Sequence, residues 1–252
     1  MRWGYPLFLL MLCGFGVVYL VWPVDQALAP YGMVVVNAAL ILAALSFTQS
    51  ALLRRADGWQ HSAVQGFTVG LWMWVAAGLL DALDLFLKTT AFESMADFLW
   101  ATGYLPMFAG LYAGVKESWS PPGRQIRVVL LILAVGYVAA FAWYLLPHLM
   151  DVSRSLFSRA IDFTYISFNF LLLGALTVIS RRQAALNGPL SAAVHLLAAA
   201  TLLMIGADAL LRITRPESLL FQLLDIPYFL IYALLFQAGQ EFVRAKRREL
   251  AQ

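Results

Sequence analysis

Charge is scarce in this chain. Asp, Glu, Lys and Arg make up 12% of its 252 residues, where a soluble domain carries about 25%. With 62% hydrophobic residues and a mean hydropathy of +0.77, that deficit excludes an ordinary soluble globule. Cysteine is nearly absent. The one residue, Cys13, lies inside an apolar run, so an internal disulfide and a multi-thiolate metal site are both excluded. Histidine is limited to His61, His148 and His195. None is spaced as a His-x2-His or His-x3-His pair, so no preformed zinc site is expected. His148, close to Asp151, reads as an ordinary interfacial histidine. No lysine lies mid-span, which argues against a retinal Schiff base. A phosphate loop, a nucleophile elbow and a paired metal motif are also missing. The expectation is a protein that is not an enzyme, and the sequence names no cofactor.

What the chain has instead is long apolar runs. About 20 such residues cross a bilayer, and eight runs reach that length: 5–22, 31–53, 64–87, 95–115, 126–147, 159–180, 190–211 and 219–243. Arg2 ahead of the first run is reminiscent of a signal peptide. No small-x-small site follows it, and Trp22-Pro23 stands where cleavage would fall, so a retained span is expected. Trp3, Tyr5, Trp22, Tyr31, Trp59, Trp119 and Tyr144 lie near run ends, as aromatic residues of a membrane interface do. Trp72, Trp74 and Trp100 lie deeper and read as packing residues, with a pigment or lipid pocket as the alternative.

The basic residues set an orientation. With both termini inside, the inner segments hold Arg2, Arg54, Arg55, Lys116, Arg124, Arg127, Arg181, Arg182, Arg244, Lys246, Arg247 and Arg248. The outer segments hold only Lys88, Arg154, Arg159, Arg212 and Arg215. That asymmetry satisfies the positive-inside rule. The net charge of +3 and pI of 9.1 therefore report membrane topology. Basic residues at helix ends meet anionic headgroups, and no nucleic-acid partner is implied.

The chain divides at Ser118-Trp-Ser-Pro121-Pro122-Gly123. This places a first four-helix repeat over 1–117, a cytoplasmic Pro/Gly linker over 118–125, and a second repeat with a cytoplasmic helical tail over 126–252. Asp84, Lys88, Thr90, Glu93 and Ser94 recur as Asp208, Arg212, Thr214, Glu217 and Ser218, 124 residues on. Tyr104, Ala109 and Glu117 match Tyr228, Ala233 and Glu241 at the same offset. Across the last span of each half a second register competes, pairing Asp97 and Tyr104 with Asp225 and Tyr232 at a spacing of 128. The second is preferred because it keeps the intramembrane Asp and Tyr together. An even number of spans per half implies copies inserted in the same direction, related by an axis along the membrane normal.

The candidate site follows from desolvation. Acids within a membrane bundle must pair, protonate or face water. Asp81, Asp84, Asp97, Asp162, Asp208 and Asp225 gather in the outer half. Asp84–Lys88 and Asp208–Arg212 are spaced to pair on one helix face. Asp162, Tyr165 and Asn169 share a face at i, i+3 and i+7. Asp225 is expected about seven residues inside the last span, beside a kink at Pro227. The expected site is an outward-facing polar pocket lined by Asp97, Tyr104, Asp162, Asn169, Asp208, Asp225 and Tyr232, with no metal. The plainer alternative is a hydrogen-bonded helix interface without a cavity.

Three stretches carry a resemblance: Ala96-Asp97-Phe-Leu-Trp-Ala-Thr-Gly103-Tyr104 followed by Gly110-Leu111, Ile161-Asp162-Phe-Thr-Tyr165, and Gly206-Ala207-Asp208 continued by Leu224-Asp225 through Tyr232. They resemble the multi-span N-terminal sensory regions of bacterial diguanylate cyclases and histidine kinases. The resemblance implies an eight-helix input module of a bacterial inner membrane, sensing a ligand or membrane state. Such regions lead into a kinase or cyclase domain, whereas this sequence stops at Gln252. A stand-alone relative is expected, acting on a membrane or cytoplasmic protein partner through its C-terminal helix. A homo-oligomer, a small two-repeat transporter or channel, and an assembly factor or subunit of a larger membrane complex remain alternatives. The expected fold is all-α: a polytopic bundle of eight transmembrane helices in two parallel repeats, both termini inside.

Overall fold

The computed structural model describes residues 29–53, 58–91, 93–118, 124–152, 155–185, 190–213 and 224–251. Among them all regular structure is helical. In chain order the elements are α1 (Ala29–Leu53), α2 (Gly58–Leu87), α3 (Glu93–Thr102), α4 (Tyr104–Ser118), α5 (Arg124–Ala140), a π-helical turn (Phe141–Leu145), α6 (Leu146–Met150), α7 (Leu156–Ala185), α8 (Ser191–Ile213) and α9 (Asp225–Leu250). The run at 5–22 with Cys13, the linker residues 119–123 and the motif residues Thr214, Glu217 and Ser218 lie outside the described residues.

Five stretches are long and apolar enough to cross a bilayer: Gly32–Leu53, Gly58–Leu87, Ile126–Leu145, Arg159–Arg181 and Ser191–Leu211. The side chains pointing away from the bundle agree. Leu131 and Ile132 of α5 are each 63% exposed, and Trp143 is 79% exposed. Apolar surface on that scale is a liability in water and ordinary in lipid. These features mark a helical membrane protein.

Six helical segments close into a ring. α1 packs on α2, α2 on α4, α4 on α7, α7 on α8, α8 on α9, and α9 back on α1. α3 lies against α2, and α5 stands outside the ring against α7. Large apolar side chains fill the middle. Phe47 of α1 stacks on Phe67 of α2 at 5.3 Å and meets Phe242 of α9 at 5.9 Å.

Lipid is as apolar as leucine, so helices in it associate through close packing more than through the hydrophobic effect. The contact between α2 and α4 uses glycine for this. A Cβ on Gly66 would overlap the Pro106 carbonyl oxygen and lie 3.0 Å from Gly110 Cα. A Cβ on Gly110 would overlap the Ser62 carbonyl and lie 3.0 Å from Ala63 Cα. Two backbones this close leave no room for side chains between them.

The fourth apolar run, expected as one span over 95–115, is broken at Gly103. Pro106 supplies the reason. Its ring removes a backbone donor and crowds the carbonyl four residues earlier, which is that of Thr102. The break leaves the Trp100 carbonyl to accept the indole N–H of Trp74 at 2.8 Å. Asp225 also differs from expectation. It is the first residue of α9 rather than a position well inside a span. Pro227 then sits in the first turn, where its missing N–H has no intrahelical partner to lose, and the expected cause of a kink disappears. Asp225 faces the positive end of the helix dipole.

α2 ends on Lys88 in the left-handed region, at φ 52°. Thr89 N–H donates to the Asp84 carbonyl at 3.0 Å and Lys88 N–H to that of Leu85 at 3.4 Å. This is the Schellman closure that usually takes glycine at the left-handed position.

Gly66→Leu should drive α2 and α4 apart and lower unfolding stability by about 1–3 kcal/mol. Gly174, whose Cβ position meets nothing within 4 Å, is the control. Gly174→Ala should hold or raise stability by up to about 1 kcal/mol. Thermal melts of the two variants in detergent check the pair, and an unchanged melt for Gly66→Leu would refute the close approach.

Candidate functional site

Along the ring α1, α4, α7 and α9 run away from one end while α2 and α8 run toward it, so that end collects the starts of α1, α3, α7 and α9 and the ends of α2 and α8. A cavity of about 340 Å³ lies there. Its wall is built from Met33, Val36 and Asn37 of α1, Trp74, Gly78 and Asp81 of α2, Asp97 and Trp100 of α3, and Tyr104 of α4. Tyr165 of α7, Met204, Asp208 and Leu211 of α8, and Asp225, Tyr228 and Tyr232 of α9 complete it.

Five of the seven residues expected from sequence line this cavity: Asp97, Tyr104, Asp208, Asp225 and Tyr232. Asn169 does not line it but is fully buried behind the wall and bonds two residues that do. Asp162 is buried on α7, 3% exposed, and lies outside the lining. The side chains of Arg212 and His148 lie outside the described residues.

The central polar chain runs across four helices. Tyr104 Oη of α4 donates to Asn169 Oδ1 of α7 at 2.9 Å. Asn169 Nδ2 donates to Asp208 Oδ2 of α8 at 2.6 Å. Tyr228 Oη of α9 donates to Asp208 Oδ1 at 2.7 Å. Both oxygens of Asp208 therefore accept, as an ionised carboxylate does. Charge-assisted bonds of this kind are the stronger ones, and each buried partner left unsatisfied costs about 1–3 kcal/mol.

A matching bond stands on the other side. Trp100 Nε1 of α3 donates to Asp81 Oδ2 of α2 at 2.8 Å. Trp74 meets Trp100 with ring centroids 5.8 Å apart and an interplanar angle of 46°. It meets Tyr104 at 5.0 Å and 68°. Asn37 Nδ2 fixes the α1 wall by donating to the Gly78 carbonyl at 3.0 Å.

The expected lining omitted Asn37, Trp74, Asp81, Trp100, Tyr165 and Tyr228. Asp81 was marked by the gathering of acids and Tyr165 by its face with Asp162 and Asn169, and for two more a usable signal was present in the spacing. Asp97, Trp100 and Tyr104 fall at i, i+3 and i+7, and Asp225, Tyr228 and Tyr232 repeat that spacing. Residues so spaced share one helix face, which assigns Trp100 and Tyr228 to the same wall as their neighbours. Trp74 carried no such signal, because a deep tryptophan in an apolar helix reads as packing.

No protein-family model, curated protein or solved structure matches the chain.

Asn169→Leu and Tyr228→Phe each remove one donor to Asp208, and each should lower stability by about 1–3 kcal/mol. Because both act on one carboxylate, the double variant should depart from additivity by about 0.5–3 kcal/mol. A double-mutant cycle by chemical denaturation in detergent measures this, and strict additivity would mean that the two bonds are independent.

Proposed function

We propose that this chain is a non-enzymatic integral-membrane sensor or accessory subunit. It binds a small ligand in the cavity around Asp208 and passes the occupied state to a partner protein. The observation that supports this reading is the convergence of carboxylates and aromatic rings from α2, α3, α4, α7, α8 and α9 on one 340 Å³ space. A ligand there touches α1, α2, α3, α4, α7, α8 and α9 at once, so its arrival changes how they pack. Ligand sites between helices of a bundle are a usual arrangement. The signal leaves along α9, which starts at the cavity with Asp225 and continues unbroken to Leu250. Its far end carries Arg244, Lys246, Arg247 and Arg248, with Glu241–Arg244 and Lys246–Glu249 pairs stiffening the last turns.

The same reading places eight spans in a bacterial inner membrane, both termini cytoplasmic, in two parallel four-helix halves. The order of packing supports the halves. α1, α2 and α3–α4 occupy the ring as α7, α8 and α9 do, and exchanging the two sets leaves the order of neighbours unchanged. The bond Trp100–Asp81 has its counterpart in Tyr228–Asp208, which favours the register of 128 for the last spans. It also sets Asp81, rather than Asp84, opposite Asp208.

Transport is the second reading, and the break at Gly103 beside the cavity favours it, since transporter sites are often formed by discontinuous helices. Flux of labelled solutes into proteoliposomes separates the two. The sensor reading expects tight ligand binding without flux, and robust substrate-dependent flux would overturn it.

For topology, Cys13→Ser removes the one native thiol. Single cysteines at Ser94 and Ser155 should then react with a membrane-impermeant maleimide from outside, and one at Ser118 should react only after the membrane is opened. Outside labelling at Ser118 would sink the arrangement.

A further inference from the structure

The chemistry of the cavity narrows its ligand. The wall combines six aromatic side chains, Trp74, Trp100, Tyr104, Tyr165, Tyr228 and Tyr232, with the carboxylates of Asp81, Asp97, Asp208 and Asp225. Among the described residues that line it there is no lysine, arginine or histidine. Such a wall is electronegative both at its acids and at its ring faces, because an aromatic face is negative and attracts cations.

Two further observations set the size and type of cation. First, among the described residues no three His, Cys, Asp or Glu side chains converge closely enough to hold a metal ion. The acids surround a space of about 340 Å³, far larger than a bare ion and within the range of small-molecule sites, about 300–1,000 Å³. Second, the carboxylates already accept hydrogen bonds from the wall. Asp208 takes Asn169 and Tyr228, one on each oxygen, and Asp81 takes Trp100. Part of the accepting capacity of these two carboxylates is therefore already used. A cation that interacts through charge and through ring faces matches this wall better than one that relies on several N–H donors. The rings of Trp74, Trp100 and Tyr104 are inclined to one another by 46° and 68°, so they form a corner rather than a flat stack.

We infer that the cavity is an aromatic cage for an organic ammonium ion, quaternary or otherwise heavily alkylated, seated on the Trp74–Trp100–Tyr104 corner and balanced by the surrounding carboxylates. The inference rests on the ligand-binding reading of the same cavity and specifies its ligand class. Whether the ammonium belongs to a free solute or to a lipid headgroup, the chemistry recognised is the same.

The test uses full-length protein in nanodiscs of phosphatidylglycerol, which carry no choline headgroup. The probes are choline and benzyltrimethylammonium, each compared with its uncharged isostere, neohexyl alcohol and neopentylbenzene. Indole fluorescence and thermal unfolding report binding. Saturable binding of the two cations is expected, at least ten times tighter than the isosteres, together with a rise in melting temperature. Asp97→Asn and Trp74→Leu should each weaken cation binding tenfold or more while the protein still melts cooperatively. If either fails to fold, Asp225→Asn takes its place. Adding phosphatidylcholine to the nanodiscs distinguishes the sources. Competition with free choline identifies the lipid headgroup, absence of competition identifies a soluble cation, and both support the inference. Isosteres that bind as well as the cations would overturn the ammonium assignment and leave a ligand pocket standing. If neither cation nor isostere binds to folded protein, the inference and the ligand-binding reading fall together.

Discussion

A carboxylate held among hydrophobic helices must be satisfied from within the protein, because hydrocarbon offers it nothing. Asp208 meets that constraint by drawing donors from α7 and α9, and through Asn169 it is joined to Tyr104 on α4. Four of the six ring elements are thereby tied at one point. The direction of each ring helix, the burial of Asn169 and the position of the cavity are all consistent with this tie. The bundle is thus organised around a polar centre near one end and an apolar, phenylalanine-rich middle.

Two kinds of contact divide the work of holding the ring. On the side of α2 and α4 the backbones touch through Gly66 and Gly110, so packing is close and carries no charge. On the side of α7, α8 and α9 the hydrogen bonds to Asp208 carry the association. Close backbone packing tolerates little movement, whereas a bonded carboxylate can exchange partners. The cavity lies between these two sides, with Trp74 and Trp100 against the rigid one and Tyr228 and Asp208 on the other. In the proposed reading, a ligand that redistributed the bonds of Asp208 would act on this second half of the ring. α9 belongs to that half and runs from the cavity to the basic end of the chain.

The seven expected site residues show how far pattern alone reaches. Asp97, Asp208 and Asp225 stood out because acids are rare in apolar runs, and the cavity gathers all three. Asp162 stood out for the same reason, yet it is buried outside the lining. An unusual residue type identifies a cost that the fold must meet, and it does not say which neighbour meets it. Asn169 shows the opposite case: its face with Tyr165 was readable, while its role as the link between Tyr104 and Asp208 depends on three helices far apart in sequence. The break at Gly103 was written in Pro106 but masked by the apolar character of the run around it. Hydropathy measures solvent preference and is blind to a single lost backbone bond.

By itself the sequence determined that the chain is helical and made for a membrane. Run length and the shortage of charge are properties of local composition, and hydrocarbon acts on them locally. It also marked the end of the bundle at which acids collect, since alternation of helices along the chain follows from the order of the runs. The tertiary structure alone decided that the six ring elements close, that α5 stands outside them, and that Trp74, Asp81 and Asn37 join the acids around one space. Those outcomes depend on which helix faces meet. In lipid that choice is made by shape, through contacts such as Gly66 on Gly110, and by pairing of buried polar groups such as Asn169 with Asp208. Both are relations between distant residues, and neither is a property of any one run.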